Sequence, residues 1–126
     1  MRIVFTLDYR SRLPIYEQLY KNIRRMAAVG AVDQREPLPS VRALAQELGV
    51  NPNTVQKAYR MLEHDGIICS VPGKGSFLSK DLSAVSQQRE IALEKLDDAI
   101  RSAADLGISK NQIVTRVENI MSGRGD

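Results

Sequence analysis

The chain has 126 residues, 43% hydrophobic and 26% charged, with a formal net charge of +3: one domain's length, or a small domain with an appendage, and too short for a large enzyme. No apolar run approaches the roughly 18 residues of a membrane span, the one in MRIVFTLDYR is too short for a signal peptide, and a single cysteine, Cys69, allows no intrachain disulfide, so a cytoplasmic protein without membrane contact is expected. The charge is uneven, with 12 Lys and Arg against 7 Asp and Glu in residues 1–80 and 6 against 8 in residues 81–126, which gives only the front part the positive surplus that phosphate binding requires.

Ile3 to Leu7, IVFTL, predicts a short strand before a turn through Asp8 to Arg12. Pro14 then opens a helix with Glu17 in its first turn, and Ile15, Leu19, Ile23 and Met26 mark one buried face up to Gly30. Residues 31–39, AVDQREPLP, read as a connecting loop. Ser40 caps a second helix, VRALAQEL, with Val41, Leu44, Ala45 and Leu48 facing inward and Gly49 ending it.

Only Val50 and Asn51 separate that stop from a third helix, NPNTVQKAYRMLEHDG, whose two ends are both written in the sequence: Asn51 as N-cap with Pro52 at the first helical position, and Gly66 as a left-handed stop. Val55, Ala58, Tyr59 and Leu62 recur at helical spacing as a core stripe, while Asn53, Thr54, Gln56, Lys57 and Arg60 make an outer face without an acid. Two short helices joined by so tight a turn form a helix-turn-helix, whose second helix enters the major groove of DNA. Asn53 and Gln56 are the amides that pair bidentately with adenine. The plainer reading of this face is a solvated helix surface. Ile67 to Val71, PGKG and Ser76 to Leu78 then predict a β-hairpin with Lys74 at its tip, the wing of a winged helix.

From Asp81 the composition shifts to Ala, Gln, Glu, Asp and Lys, with a helical stripe of Leu93, Leu96, Ile100 and Ala103 until Gly107. Ser109 and Gln112 are spaced as a capping box for a last helix bearing Ile113, Val117, Ile120 and Met121, before SGRGD. Two helices in about 40 residues cannot enclose a core, so their apolar faces are expected to pack on each other and on a second copy of the chain. The expected fold is mainly α (α+β): a winged helix-turn-helix domain over 1–80 and a two-helix dimerisation tail over 81–126, with Leu93, Leu96, Ile100, Ile113, Val117 and Ile120 at the dimer seam.

These residues resemble the GntR family of bacterial transcription regulators, specifically its small YtrA-like branch. The resemblance runs through SRLPIYEQL, LPSVRALAQELGVNPNTVQKAYRMLEHDGII and PGKGSFL, in the family's order and spacing over residues 11–79; beyond residue 80 it is one of length and pattern. It implies an adjacent transporter operon, often of the ABC type, under repression, and a homodimer formed through the tail is expected to bind double-stranded DNA at an inverted repeat, because a two-fold pair presents both reading helices on one DNA face. The resemblance carries the arginine of the LPSxR element onto Arg42 and the wing glycine onto Gly73. Many relatives begin the reading helix with Ser or Thr followed by Arg and carry another Arg after the TV pair, where this chain has Asn51, Pro52 and Gln56. Two bidentate guanine readers are thereby missing, and a different operator is expected. The expected DNA-binding set is Ser40, Arg42, Asn51, Asn53, Thr54, Gln56, Lys57, Arg60, Gly73 and Lys74.

No Walker loop, GxSxG or paired Cys or His suggests an enzyme, and no cofactor or metal is expected. A winged-helix interaction module without DNA affinity is disfavoured by the basic front part. His64 reads as a helix-end surface residue and Cys69 as a small packing residue in a strand.

Overall fold

The computed structural model describes residues 7–30 and 33–123. Its elements are α1 (Ile15–Val29), α2 (Val41–Leu48), α3 (Pro52–His64), β1 (Ile68–Val71), β2 (Gly75–Leu78), α4 (Ser83–Asp105) and α5 (Lys110–Met121). They form two compact units that divide inside α4, between Gln87 and Gln88. The strand expected over residues 3–7 lies outside the described residues except for Leu7, which is buried.

In the first unit each helix end follows from local chemistry. Pro14 stands one position earlier than expected: its ψ of 149° is extended, making it the N-cap of α1, and Ile15 is the first helical residue. The Ser40 hydroxyl accepts from the Ala43 N–H at 3.1 Å to cap α2. At the other end, Gly49 (φ +68°) lets the chain double back so that Val50 N–H donates to Ala45 O at 3.0 Å and Gly49 N–H to Gln46 O at 3.3 Å, the paired closure that a left-handed residue makes possible. Gly66 repeats the device after α3, where Ile67 N–H donates to Leu62 O at 2.9 Å. Ile67, expected as the first strand residue, is therefore used in that closure, and β1 starts one residue later.

The core closes around α3, which packs on α1, α2 and β1. Leu19, Ile23, Leu44, Val55, Leu62 and Ile67 are fully buried, and Val85 of α4's first turn joins them. Gln18 is buried as well. Its side-chain oxygen accepts from Asp8 N–H at 2.8 Å, and its amide donates to Asp8 O and Leu13 O, each at 2.9 Å, so the desolvated amide has both donors and its oxygen engaged in pinning the 8–13 loop to α1. β1 and β2 pair antiparallel from Ile68↔Leu78 to Val71↔Gly75. Lys74 N–H donates to Val71 O at 2.9 Å across a Pro72-Gly73 turn with Gly73 at φ +76°, a geometry in which Pro presets the second position and Gly alone fits the third without strain. Leu38 N–H donates to Ser76 O at 2.7 Å, tying the segment that leads into α2 to the base of this hairpin.

Among its described residues the second unit buries no apolar side chain. Ser109 and Gln112 do form the capping box, each side chain bonded to the other's backbone. However, among the described residues none of α5 is buried and α4 buries only Val85, so the two helices do not by themselves cover the stripes that were expected to pack on each other and on a second copy. Leu93, Leu96, Ile100, Val117 and Ile120 stay between 38% and 59% exposed, and Ile113 is half-buried. A single helix pair joined by the short 106–109 connection presents too little surface to bury both stripes.

Candidate nucleic-acid interface

The exposed surface of α3 is fixed by what the helix buries. Val55, Ala58, Tyr59 and Leu62 are all sunk in the core, which turns the opposite side outward. At about 100° per residue, Asn53, Arg60 and His64 lie within about 20° of one outward line, Lys57 about 40° to one side and Gln56 about 60° to the other. Asn53, Lys57, Arg60 and His64 are exposed, Thr54 and Gln56 half-buried. The helix has no acid before Glu63, and its N-terminus adds the positive end of its dipole to a cationic face.

Two of the expected contacts are committed locally. Asn51 Oδ1 accepts from Asn53 N–H at 2.8 Å, and Ser40 Oγ is engaged on Ala43 N–H; both side chains are occupied as caps, although both residues are exposed. Arg42 is exposed on the first turn of α2, the helix packed against α3. Gly73 and Lys74 sit exposed at the hairpin tip, on a separate element from the α2 and α3 residues.

Several side chains absent from the expected set hold this arrangement. The Tyr59 hydroxyl donates to Pro39 O at 2.7 Å, fastening α3 to the residue before α2's cap, and burial pushes its phenol pKa well up. The Tyr9 hydroxyl reaches Leu48 O at 2.6 Å, securing the end of α2. The Tyr20 hydroxyl donates to the Asp65 carboxylate just beyond α3; burial first, and then this carboxylate, raise its pKa, against the nearby Arg24 guanidinium. The Lys57 ammonium lies over the Tyr16 ring of α1, 3.9 Å from its centre. Nothing in the periodicity marks these tyrosines apart from ordinary core residues.

Among the described residues no group of three or more His, Cys, Asp or Glu is placed to hold a metal ion. His64 is at the exposed end of α3 as expected, whereas Cys69 is exposed on the outer face of β1 and not a packing residue. Successive strand residues point to opposite faces, so Cys69 faces away from the side on which its neighbour Ile68, the one buried residue of this strand, meets the core.

Residues 15–78 match the family model of bacterial regulatory proteins, gntR family. The chain belongs to the GntR family. Its similarity extends beyond that segment: it is 33% identical over 116 residues to the HTH-type transcriptional repressor YtrA of Bacillus subtilis, covering 90% of this chain and 89% of that one. The crystal structure of a transcriptional regulator from Oenococcus oeni superposes with a TM-score of 0.69 at 31% identity, over 91% of this chain and 97% of the other. The AraR DNA-binding domain, crystallised in complex with operator ORR3, matches with a TM-score of 0.50 at 29% identity over 60% of this chain and 92% of its own. This GntR-family chain is thus a winged helix-turn-helix, DNA-binding transcriptional regulator and not an enzyme, and its similarity to YtrA over 90% of its length sets it with the YtrA-like regulators.

Proposed function

We propose that the chain is a cytoplasmic repressor that binds an inverted-repeat operator as a homodimer, laying α3 in successive major grooves and its hairpin wing along the adjoining backbone. The observation that carries this is the outward face of α3, acid-free before Glu63 and rich in amide and cationic groups, held by a helix-turn-helix in a family of bacterial regulators. In this reading Asn53, Gln56 and Arg60 face base edges together with Arg42 of α2; Thr54, Lys57 and Lys74 meet phosphate; Gly73 lets the wing backbone come close; Ser40 and Asn51 serve as caps whose backbone borders the DNA. The apolar stripes through Leu93, Leu96, Ile100, Ile113, Val117 and Ile120, exposed apart from the half-buried Ile113, support dimerisation through residues 81–126, since large apolar side chains repeated along one helix face call for a cover. The similarity to a repressor, YtrA, supports repression, and the family resemblance suggests a neighbouring transporter operon, of ABC type, as the target.

Selection of bound duplexes from random-sequence DNA, followed by footprinting on the chain's own upstream region, tests the reading. Two protected half-sites whose centres lie about one helical turn, roughly 10 bp, apart or slightly more are expected. A single protected half-site at saturating protein, or binding indifferent to salt, contradicts it.

A further inference from the structure

We infer that Tyr16 is a positioning residue for DNA binding: its ring holds the Lys57 ammonium on the α1 flank of α3, where it neutralises a backbone phosphate instead of reading a base edge. The inference rests on the DNA-binding reading above and adds a residue from α1, a helix that otherwise only supports α3. The Lys57 Nζ stands 3.9 Å from the centre of the Tyr16 ring, well inside the distance at which a cation is attracted to an aromatic face. Lys57 is exposed while Tyr16 is half-buried and packed against the core, so the ring is the fixed partner and the flexible ammonium the guided one. The Tyr16 hydroxyl is occupied within its own helix, donating to Glu17 Oε1 at 3.3 Å, which leaves the ring face as the working surface.

The direction of the pull decides the role. Lys57 lies about 40° off the outward line through Asn53 and Arg60, and its contact with Tyr16 shows that this is the side on which α1 packs. An ammonium drawn toward α1 leaves the centre of the groove-reading face to Asn53 and Arg60. It remains near the flank, where the DNA backbone passes a helix lying in the major groove. One side of an ammonium can rest on a ring while its other N–H groups face a phosphate, so holding and binding are compatible.

The test uses the intact chain, the duplex recovered by selection and a random-sequence 30-bp duplex, with affinity measured from about 0.05 to 0.3 M KCl. Lys57→Met is expected to weaken binding to both duplexes alike and to reduce the slope of log affinity against log salt by about 0.9 per protomer. Tyr16→Leu is expected to weaken binding by about 2- to 5-fold per protomer, and Tyr16→Phe, which keeps the ring, to leave it unchanged. Once Lys57→Met is in place, Tyr16→Leu should have no further effect. In the free protein, ring currents should shift the Lys57 ε-protons upfield, and Tyr16→Phe should preserve that shift; this measurement needs no Leu variant to fold. Unshifted ε-protons, an unchanged salt slope for Lys57→Met, a Tyr16→Phe defect, or equal Tyr16→Leu effects with and without Lys57 overturns the inference. If the wild-type chain binds neither duplex with salt dependence, the DNA-binding reading falls first, and the ring-current shift tells the two failures apart.

Discussion

Replacing Tyr59 by Phe removes a single hydroxyl from a side chain that is only 5% exposed, and with it the 2.7 Å bond to Pro39 O that fastens α3 to the start of α2. A net hydrogen bond contributes about 0.5 to 1.5 kcal/mol. Pro39 is half-buried, so water can partly replace the lost donor, and a loss of about 1 kcal/mol at pH 7 is expected, or about 4 to 8 °C in the unfolding midpoint of a domain this small. Alkaline pH then separates the two proteins. Burial raises the Tyr59 pKa in the folded chain above its ordinary value of about 10. The stability this neutral phenol contributes is therefore fully present below pH 10 and is lost as pH rises, because the unfolded chain ionises the phenol and the folded chain does not. That loss approaches about 1.4 kcal/mol per pH unit in the wild type and is absent at this position in Tyr59→Phe. The wild-type advantage should vanish between about pH 10.5 and 11 and reverse above it, while Tyr20, also raised, acts equally in both proteins. Urea unfolding followed by circular dichroism, at equal protein concentration and in steps from pH 7 to 11.5, measures the difference. If the two stability curves run parallel through that range, Tyr59 is not held neutral by burial and the reasoning fails.

Cutting the chain after Gln87 retains Val85 in the core of the first unit; this fragment should sediment as a folded monomer and bind the operator about 10² to 10⁴ less tightly, as loss of a tethered second head implies, and a dimeric or undiminished fragment refutes the seam assigned to the tail. Arg42→Ala should cost about 1 to 3 kcal/mol of specific binding and flatten preference at one position per half-site; repeating the selection with the variant decides whether Arg42 reads a base, since a uniform loss across sequences assigns it to phosphate. Gly73→Ala meets no atom within 4 Å but places a side chain at φ +76°, so it should destabilise the hairpin by about 1 to 2 kcal/mol through backbone strain alone; calorimetry showing no change would mean that the turn adopts another form.

The order of helices, the caps at Ser40, Asn51 and Ser109, the stops at Gly49 and Gly66 and the inward stripe of α3 were legible in the chain because each depends on residues within a turn or two of one another. The outer face of α3 followed from them, since what a helix buries dictates what it shows. Family order and spacing then named the fold that these short-range signals only outlined. Contacts distant in sequence were not legible. The Tyr59–Pro39 and Tyr20–Asp65 bonds and the Lys57–Tyr16 contact join residues 20, 45 and 41 positions apart, and periodicity marks these tyrosines only as apolar bulk. Tertiary packing also decided that Gln18, polar by composition, is buried with its donors and its oxygen engaged, that Cys69 faces solvent, and that α4 and α5 leave their apolar stripes largely open. The physical reason is the same in each case: a helical or strand period says which residues share a face, but what covers that face depends on surfaces brought together from elsewhere in the chain or from another molecule.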